Sequence, residues 1–410
     1  MIPSGFTGDH PEVTLSDHMR AYVRRVKGGE MGSLPALLAF LVLGILFASL
    51  NKYFITKLNF ANLFNQAGEL TVLASALVFL IILTEIDLSA GVTGGVGMAA
   101  LTILMKDHHW SLAPALIVAF GVGLLTGFII GTLVSRLGVP AFVVSLGFFL
   151  GFQGLQLVML GDGGTFRLEN HLLLSIMSTN LTATAGWIFL FLVVAIFVLM
   201  TYWDRSRRSK AEVPNPPLLF AGVKLVALVI IGGITVWVLN QNRSLSVKRI
   251  LGVPKVIPIV LAMLFVGTFV LDRTRFGRHL YAVGGNPEAA RRAGINVARI
   301  RISGFMICST LAVFSGILHA SRVGTVESSA GSRIVLSGVG AAVVGGVSLY
   351  GGRGRLSNAA IGALVIAMID NGLGLLGLPG GINFLVTGGV LVLAASVDAL
   401  ARRRNSTVKR

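Results

Sequence analysis

Charged and amide side chains are sparse in this 410-residue chain, so the few that interrupt its apolar runs are where chemistry has to be sought. Thr84 to Gly95 reads TEIDLSAGVTGG and sets two carboxylates, Glu85 and Asp87, at the end of one apolar run, just before a glycine-rich helix start. Such carboxylates can titrate, hold a polar solute, or only accept backbone N–H groups. Ser89 and Asp87 are both suited to cap the helix that follows, and capping is the favoured reading of Asp87 over a substrate or proton role. Asp370 and Asn371 fall well inside another apolar run, where a polar group is costly unless it is hydrogen-bonded or faces a water-filled path. Gln153, flanked by Phe149 and Phe152, puts an amide among aromatic faces, a surface on which a sugar could hydrogen-bond its hydroxyls and stack its C–H face. Hydrogen bonding between helices explains Gln153 and Asn371 equally well. Asn62, Asn65 and Gln66 form a polar cluster at the start of a further run, as caps or as the lining of an outer mouth.

Catalytic and metal chemistry are not indicated. There is no GxxxxGK(S/T) phosphate loop, HExxH or GxSxG motif, or metal-spaced His/Cys cluster. Cys308 is the single cysteine and sits in an apolar run, which excludes an intrachain disulfide and points to inert packing. His108 and His109 share a short polar turn and read as solvated surface.

Gly284 to Arg301, GGNPEAARRAGINVARIR, is a polar, basic insert between two apolar runs. Asn286 is a good N-cap and Pro287 fits the first helical position, where its missing N–H costs nothing. Glu288 sits at the positive end of the helix dipole, Arg291 and Arg292 sit near the negative end, and Gly294 supplies the stop. A short helix built for water in a lipid-loving chain is a docking element for a partner.

The elements that position these residues are membrane spans. The chain is 54% hydrophobic and only 12% charged, with mean hydropathy +0.83, against about 25% charged residues in ordinary soluble domains. Its fold class is all-α, a polytopic integral membrane protein. Runs long enough for a hydrocarbon core of ~30 Å lie near 34–50, 67–83, 88–105, 112–134, 139–160, 186–202, 219–239, 254–271, 302–320, 334–349, 357–376 and 381–398. That is about twelve spans, with ten to twelve plausible, and 139–160 is left open between a full span and a broken or re-entrant one. Glycines at three- and four-residue spacing, such as Gly123, Gly127 and Gly131, let helices approach closely in lipid.

The net charge of +17 accompanies no nucleic-acid motif, which excludes that partner. With both termini cytoplasmic, the inner segments hold 23 of the basic residues and the outer loops nine, as the positive-inside rule requires. This topology places 284–301 in the cytosol. Residues 1–33 form a cytoplasmic leader without a cleavable signal, 34–400 the transmembrane domain, and 401–410 a basic tail. In the leader, Leu15, Met19, Val23 and Val26 recur at helical spacing among Arg20, Arg24, Arg25 and Lys27, an amphipathic helix for the surface of the membrane lipid. IDLSAG and VSLYGG stand at equivalent topological positions, an echo of two related halves.

Four ordered stretches give the chain a likeness: EIDLSAG (Glu85 to Gly91), VPAFVVSLGFFLGFQGL (Val139 to Leu155), FGRHLYAVGGNPEAARRAGINV (Phe276 to Val297) and GGVSLYGGRG (Gly345 to Gly354). In these it resembles the permease subunits of bacterial ABC sugar importers of the ribose/xylose/galactoside class. The resemblance implies an ABC importer permease fold in which Asn286, Pro287, Glu288, Ala289, Ala290, Arg291, Arg292 and Gly294 form the coupling helix that docks on a cytoplasmic ABC ATPase. The Leu-Pro that ends that motif elsewhere is absent here. It also implies an extracytoplasmic sugar-binding protein, a second permease copy, a bacterial plasma (inner) membrane, and no cofactor bound directly, ATP being used by the partner subunit. Three predicted spans between residues 185 and 273, with a basic, proline-rich loop from Asp204 to Pro217, are similar to xylose-type rather than ribose-type permeases. The rivals are an ABC permease for nucleosides or branched-chain amino acids, a proton-coupled secondary transporter titrating Asp87 or Asp370, and a receptor or scaffold without solute flux.

Overall fold

The computed structural model describes residues 32–407 apart from 162–163, 214, 245 and 248. The expected leader helix lies outside the described residues. Apolar runs become α1 (Leu34–Leu50), α2 (Lys57–Ile81), α3 (Ala90–Lys106), α4 (Leu112–Arg136), α5 (Ala141–Leu160), α7 (Ala183–Lys210), α8 (Leu218–Leu239), α9 (Val256–Arg273), α12 (Val297–Val323), α13 (Ala330–Val344), α14 (Leu356–Leu375) and α15 (Gly380–Thr407). Among them stand three shorter helices, α6 (His171–Ser178), α10 (Arg275–Gly285) and α11 (Pro287–Arg292). Eight of the described helices are long and apolar enough to cross a bilayer. Four shorter apolar stretches, in α1, α3, α13 and α15, bring them to the twelve runs read from the sequence.

The chain divides into two compact units, one of residues 180–253 and the other of residues 31–179 and 254–403. In the first, α7 and α8 pair as a hairpin, and only 6% of each apolar window is buried. An apolar helix that buries so little protein surface is solvated by acyl chains. In the second, α2 is the centre, with 83% of its window buried. It packs on α12, α14, α13 and α9, while α12 also runs along α4.

Several expectations are resolved or corrected. The run at 139–160 is neither broken nor re-entrant: α5 is continuous from Ala141 to Leu160. Helix α2 starts at Lys57 rather than near 67, because Thr56 caps it, its side chain accepting from Asn59 N. Helix α7 carries on through the basic run to Lys210, so the loop expected from Asp204 begins only after it. Arg and Lys are good helix formers whose long stems reach water from a helix end. The run at 334–349 stops at Val344, where Gly346, Gly351 and Gly352 take positive φ and make a turn.

Helices α3 and α13, about 25 and 22 Å long, are shorter than a ~30 Å core. They begin against each other in the interior. A Cβ on Gly91 would lie 2.1 Å from Gly331 O, and one on Gly331 would lie 2.4 Å from Gly91 O. Only two glycines allow backbones so close. Strands β1 (Thr165–Arg167) and β2 (Thr325–Glu327) form an antiparallel ribbon, Phe166 opposite Val326, that ties the two halves of the sequence at the end of the bundle away from α11.

Candidate functional site

The polar insert folds as its sequence dictates. The side chain of Asn286 accepts from Ala289 N at 2.9 Å, Pro287 opens α11, and Gly294 ends it with φ +81°. Ile295 N donates to Ala290 O at 3.0 Å, closing the helix on itself. Glu288 meets Arg291 at 3.2 Å and Arg292 at 3.4 Å. Ala290 is buried, while Glu288, Ala289, Arg291, Arg292 and Gly294 face solvent. One alanine anchors the helix and its charged residues remain available.

Behind α11, three segments far apart in sequence interlock. Gly352 N donates to Ile82 O at 2.8 Å, so the two echoing turns, 82–89 and 345–355, bond directly to each other. Gly284, at the end of α10, packs on both: a Cβ there would lie 1.8 Å from Ile82 O and 3.1 Å from Gly352 N. Tyr281 Oη donates to Gly354 O at 2.7 Å. Burial, with Asp272 adding, pushes that phenol up to about 12, so it stays a donor. On the other side of α11, Arg301 Nε stands 3.3 Å from Glu85 Oε1. Burial pushes the Glu85 carboxyl above the usual range and Arg301 partly offsets it. The helices on either side of α11 thus contact both turns, Gly284 and Tyr281 from α10 and Arg301 from α12.

A second feature lies in the half of the bundle nearer the ribbon, a cavity of 340 Å³ walled by α2, α12, α13, α14 and α15. Glu69 accepts both arms of the Arg322 guanidinium, Nε and Nη2, each at 2.9 Å, and lies 3.3 Å from His319 Nδ1. Ser315 Oγ donates to the backbone oxygen of Glu69 at 2.9 Å. Asp370, Arg333 and Gln66 share this cavity, and Asn383 hydrogen-bonds the Asp370 carboxylate. Asp370 and Gln66, separate in the sequence reading, are therefore brought together.

The remaining candidates go elsewhere. Asn371 exchanges two hydrogen bonds with Asn59, at 2.8 and 2.9 Å, so its amide clamps α14 to α2 instead of facing a path. Asp87 is fully buried. One carboxylate oxygen accepts Ser89 N at 2.8 Å and Ser89 Oγ at 2.5 Å, and the other has no partner among the described residues. That is the turn-capping arrangement, placed between α2 and α3. Phe149, Phe152 and Gln153 are half-buried on α5, with Phe152 edge-on to Phe148 at 5.3 Å. The amide that α5 buries is Gln156, which donates to Val92 O at 3.1 Å and fills the space beside Gly95. Asn62 is exposed, and Asn65 and Gln66 are half-buried.

Sequence reading missed Glu69 and His319 and treated Arg322 as an ordinary outer-loop charge. A glutamate inside an apolar run was itself a signal. Its partner stands 253 positions away, and no local pattern announces that.

Residues 59–395 match a family described as branched-chain amino acid transport system / permease component. The chain is 34% identical over 356 residues to the xylose transport system permease protein of Escherichia coli (strain K12), covering 86% of this chain and 87% of that one. It is 33% identical to the Haemophilus influenzae xylose transport system permease protein, over 86% and 91% of the two chains. The Escherichia coli (strain K12) ribose import permease protein is 27% identical over 88% and 92%. No solved structure matches the chain.

Proposed function

The chain belongs to the branched-chain amino acid transport system / permease component family and is the permease subunit of an ABC sugar importer, and we propose that its cargo is xylose or a related monosaccharide. The observation that carries the coupling half of this reading is α11 itself. It is a capped, charged helix held by one buried alanine and wired through Gly284, Tyr281 and Arg301 to the turns that start α3 and α14. A cytoplasmic ATPase that closes on ATP and grips α11 would move both turns together. The hydrolysis takes place in that separate subunit.

The sugar arrives on an extracytoplasmic binding protein that docks at the ribbon end, and both termini of the permease lie in the cytoplasm of a bacterial cell. A second copy of the chain completes the path. Helix α5 supports this: Gly147, Gly151 and Gly154 face open space, a small-residue face on which another helix can seat. The helices α7, α8 and α9 stand where the sequence resembles xylose-type permeases, which favours a pentose over branched-chain amino acids or nucleosides.

Uptake into proteoliposomes holding the permease, its ATPase and its binding protein tests the reading. Xylose accumulation should require ATP and survive collapse of the proton gradient. Uptake that follows the proton gradient and ignores the ATPase would overturn it in favour of a secondary carrier.

A further inference from the structure

The cavity between α2, α12, α13, α14 and α15 lies outside the α10–α11 assembly and has a wall of mixed charge. Its 340 Å³ is within the size range of pockets that hold small molecules, roughly 300–1,000 Å³. Glu69 is satisfied by Arg322 and His319, so those three side chains brace each other and fix α2 against α12. Asp370 and Arg333 line the same space with opposite charges. Asn383 gives its amide N–H to Asp370, and its buried Oδ1 has no partner among the described residues. Acceptors and donors therefore face one volume, with Leu70, Ile334 and Phe384 supplying apolar patches.

That wall disfavours solutes of a single charge and apolar ones. A lone cation or anion would be drawn to one charge and repelled by the other, and an apolar solute would strip water from both and return no hydrogen bond. A neutral polyol suits it, because each hydroxyl both donates and accepts. Its donors reach Asp370, its acceptors reach Arg333, and its C–H face lies on the apolar patches. His319 and Ile334 also line a smaller space beside Gly91 and Gly331.

We propose that this cavity is a monosaccharide-binding stage of the import path, with Asp370 and Arg333 contacting the sugar and Asn383, Glu69, Arg322 and His319 acting as positioning residues. The proposal rests on the sugar-importer reading above.

Cys308 is the single cysteine and is buried, so in a Thr387→Cys variant a small water-soluble maleimide reports on the cavity wall. The measurement uses the full transporter in proteoliposomes, with and without D-xylose, and with leucine as a solute lacking the polyol. Xylose is expected to slow labelling several-fold and leucine to leave it unchanged. Asp370→Asn in the same background should abolish the protection and lower the maximal uptake rate, with the half-saturating concentration of binding protein unaltered. Ser337→Cys, on the facing helix, gives the same readout if Thr387→Cys fails to assemble. Unprotected labelling in a transporter that imports xylose overturns the cavity assignment and leaves the importer reading standing. Protection by leucine equal to that by xylose overturns the polyol class. Failure of the unsubstituted transporter to import xylose with ATP removes the sugar reading itself.

Discussion

Arg301 reaches back from the second turn of α12 to Glu85, 3.3 Å away, and so ties the helix after α11 to the turn before α3. The two partners are not equivalent. Burial outweighs Arg301 at Glu85 and holds its carboxyl above the ordinary range. A folded state that raises a carboxyl's affinity for its proton gains stability below the unfolded value and loses it as pH rises through the folded one. Glu85→Gln, which mimics the protonated acid, should therefore be at least as stable as the parent at pH 7, with the difference vanishing as pH falls through the Glu85 titration. Arg301→Gln leaves a half-buried carboxylate unpaired and should cost about 2 kcal/mol. Thermal melting of the solubilised permease between pH 5 and 8, a window set around that raised carboxyl, checks the asymmetry. Both variants should lower ATP-driven uptake by loosening α12 from the turn before α3.

Glu288→Arg should leave the permease folded and inserted, since its ion pairs with Arg291 and Arg292 are exposed and contribute about 0.5 kcal/mol or less. Association with the ATPase, or stimulation of ATP hydrolysis, should fall. Unchanged stimulation would remove α11 from the docking surface.

The Asn59–Asn371 pair predicts a different signature. Asn371→Ala strands a buried amide and should cost about 1–3 kcal/mol. Replacing both residues with leucine should recover most of that loss, because no polar group is then left without a partner. Sugar selectivity should not change in either variant. A shift in which sugars compete for uptake would return Asn371 to the path.

Gly91→Ala places a methyl 2.1 Å from Gly331 O, a backbone atom that cannot rotate away, and should cost about 1–3 kcal/mol. Ala in place of Gly233 on α8, where space is open, should be tolerated. Comparing expression and melting temperature of the two variants isolates the close approach from the loss of glycine.

Gly151→Cys tests the second copy. In a chain whose natural cysteine is buried, oxidation should give a covalent dimer in native membranes that reductant reverses. A monomer under the same oxidation counts against α5 as the contact face.

The span pattern and the capped helix α11 were legible in the sequence because their causes are local. Apolar runs must be about as long as a bilayer is thick, and Asn286, Pro287, Glu288 and Gly294 each satisfy a helix end within a few residues of themselves. The turn around Asp87 was legible for the same reason, since its partner is Ser89. Tertiary structure alone decided the fate of the other polar groups. Asp370 and Asn371 are neighbours in sequence, yet one lines the cavity and the other is spent on Asn59, because adjacent helical residues point about 100° apart. Glu69 became the centre of a charged cluster only when α12 brought Arg322 beside it. The abutting starts of α3 and α13 came likewise from packing, where two glycines 240 positions apart in sequence leave room for backbone to meet backbone.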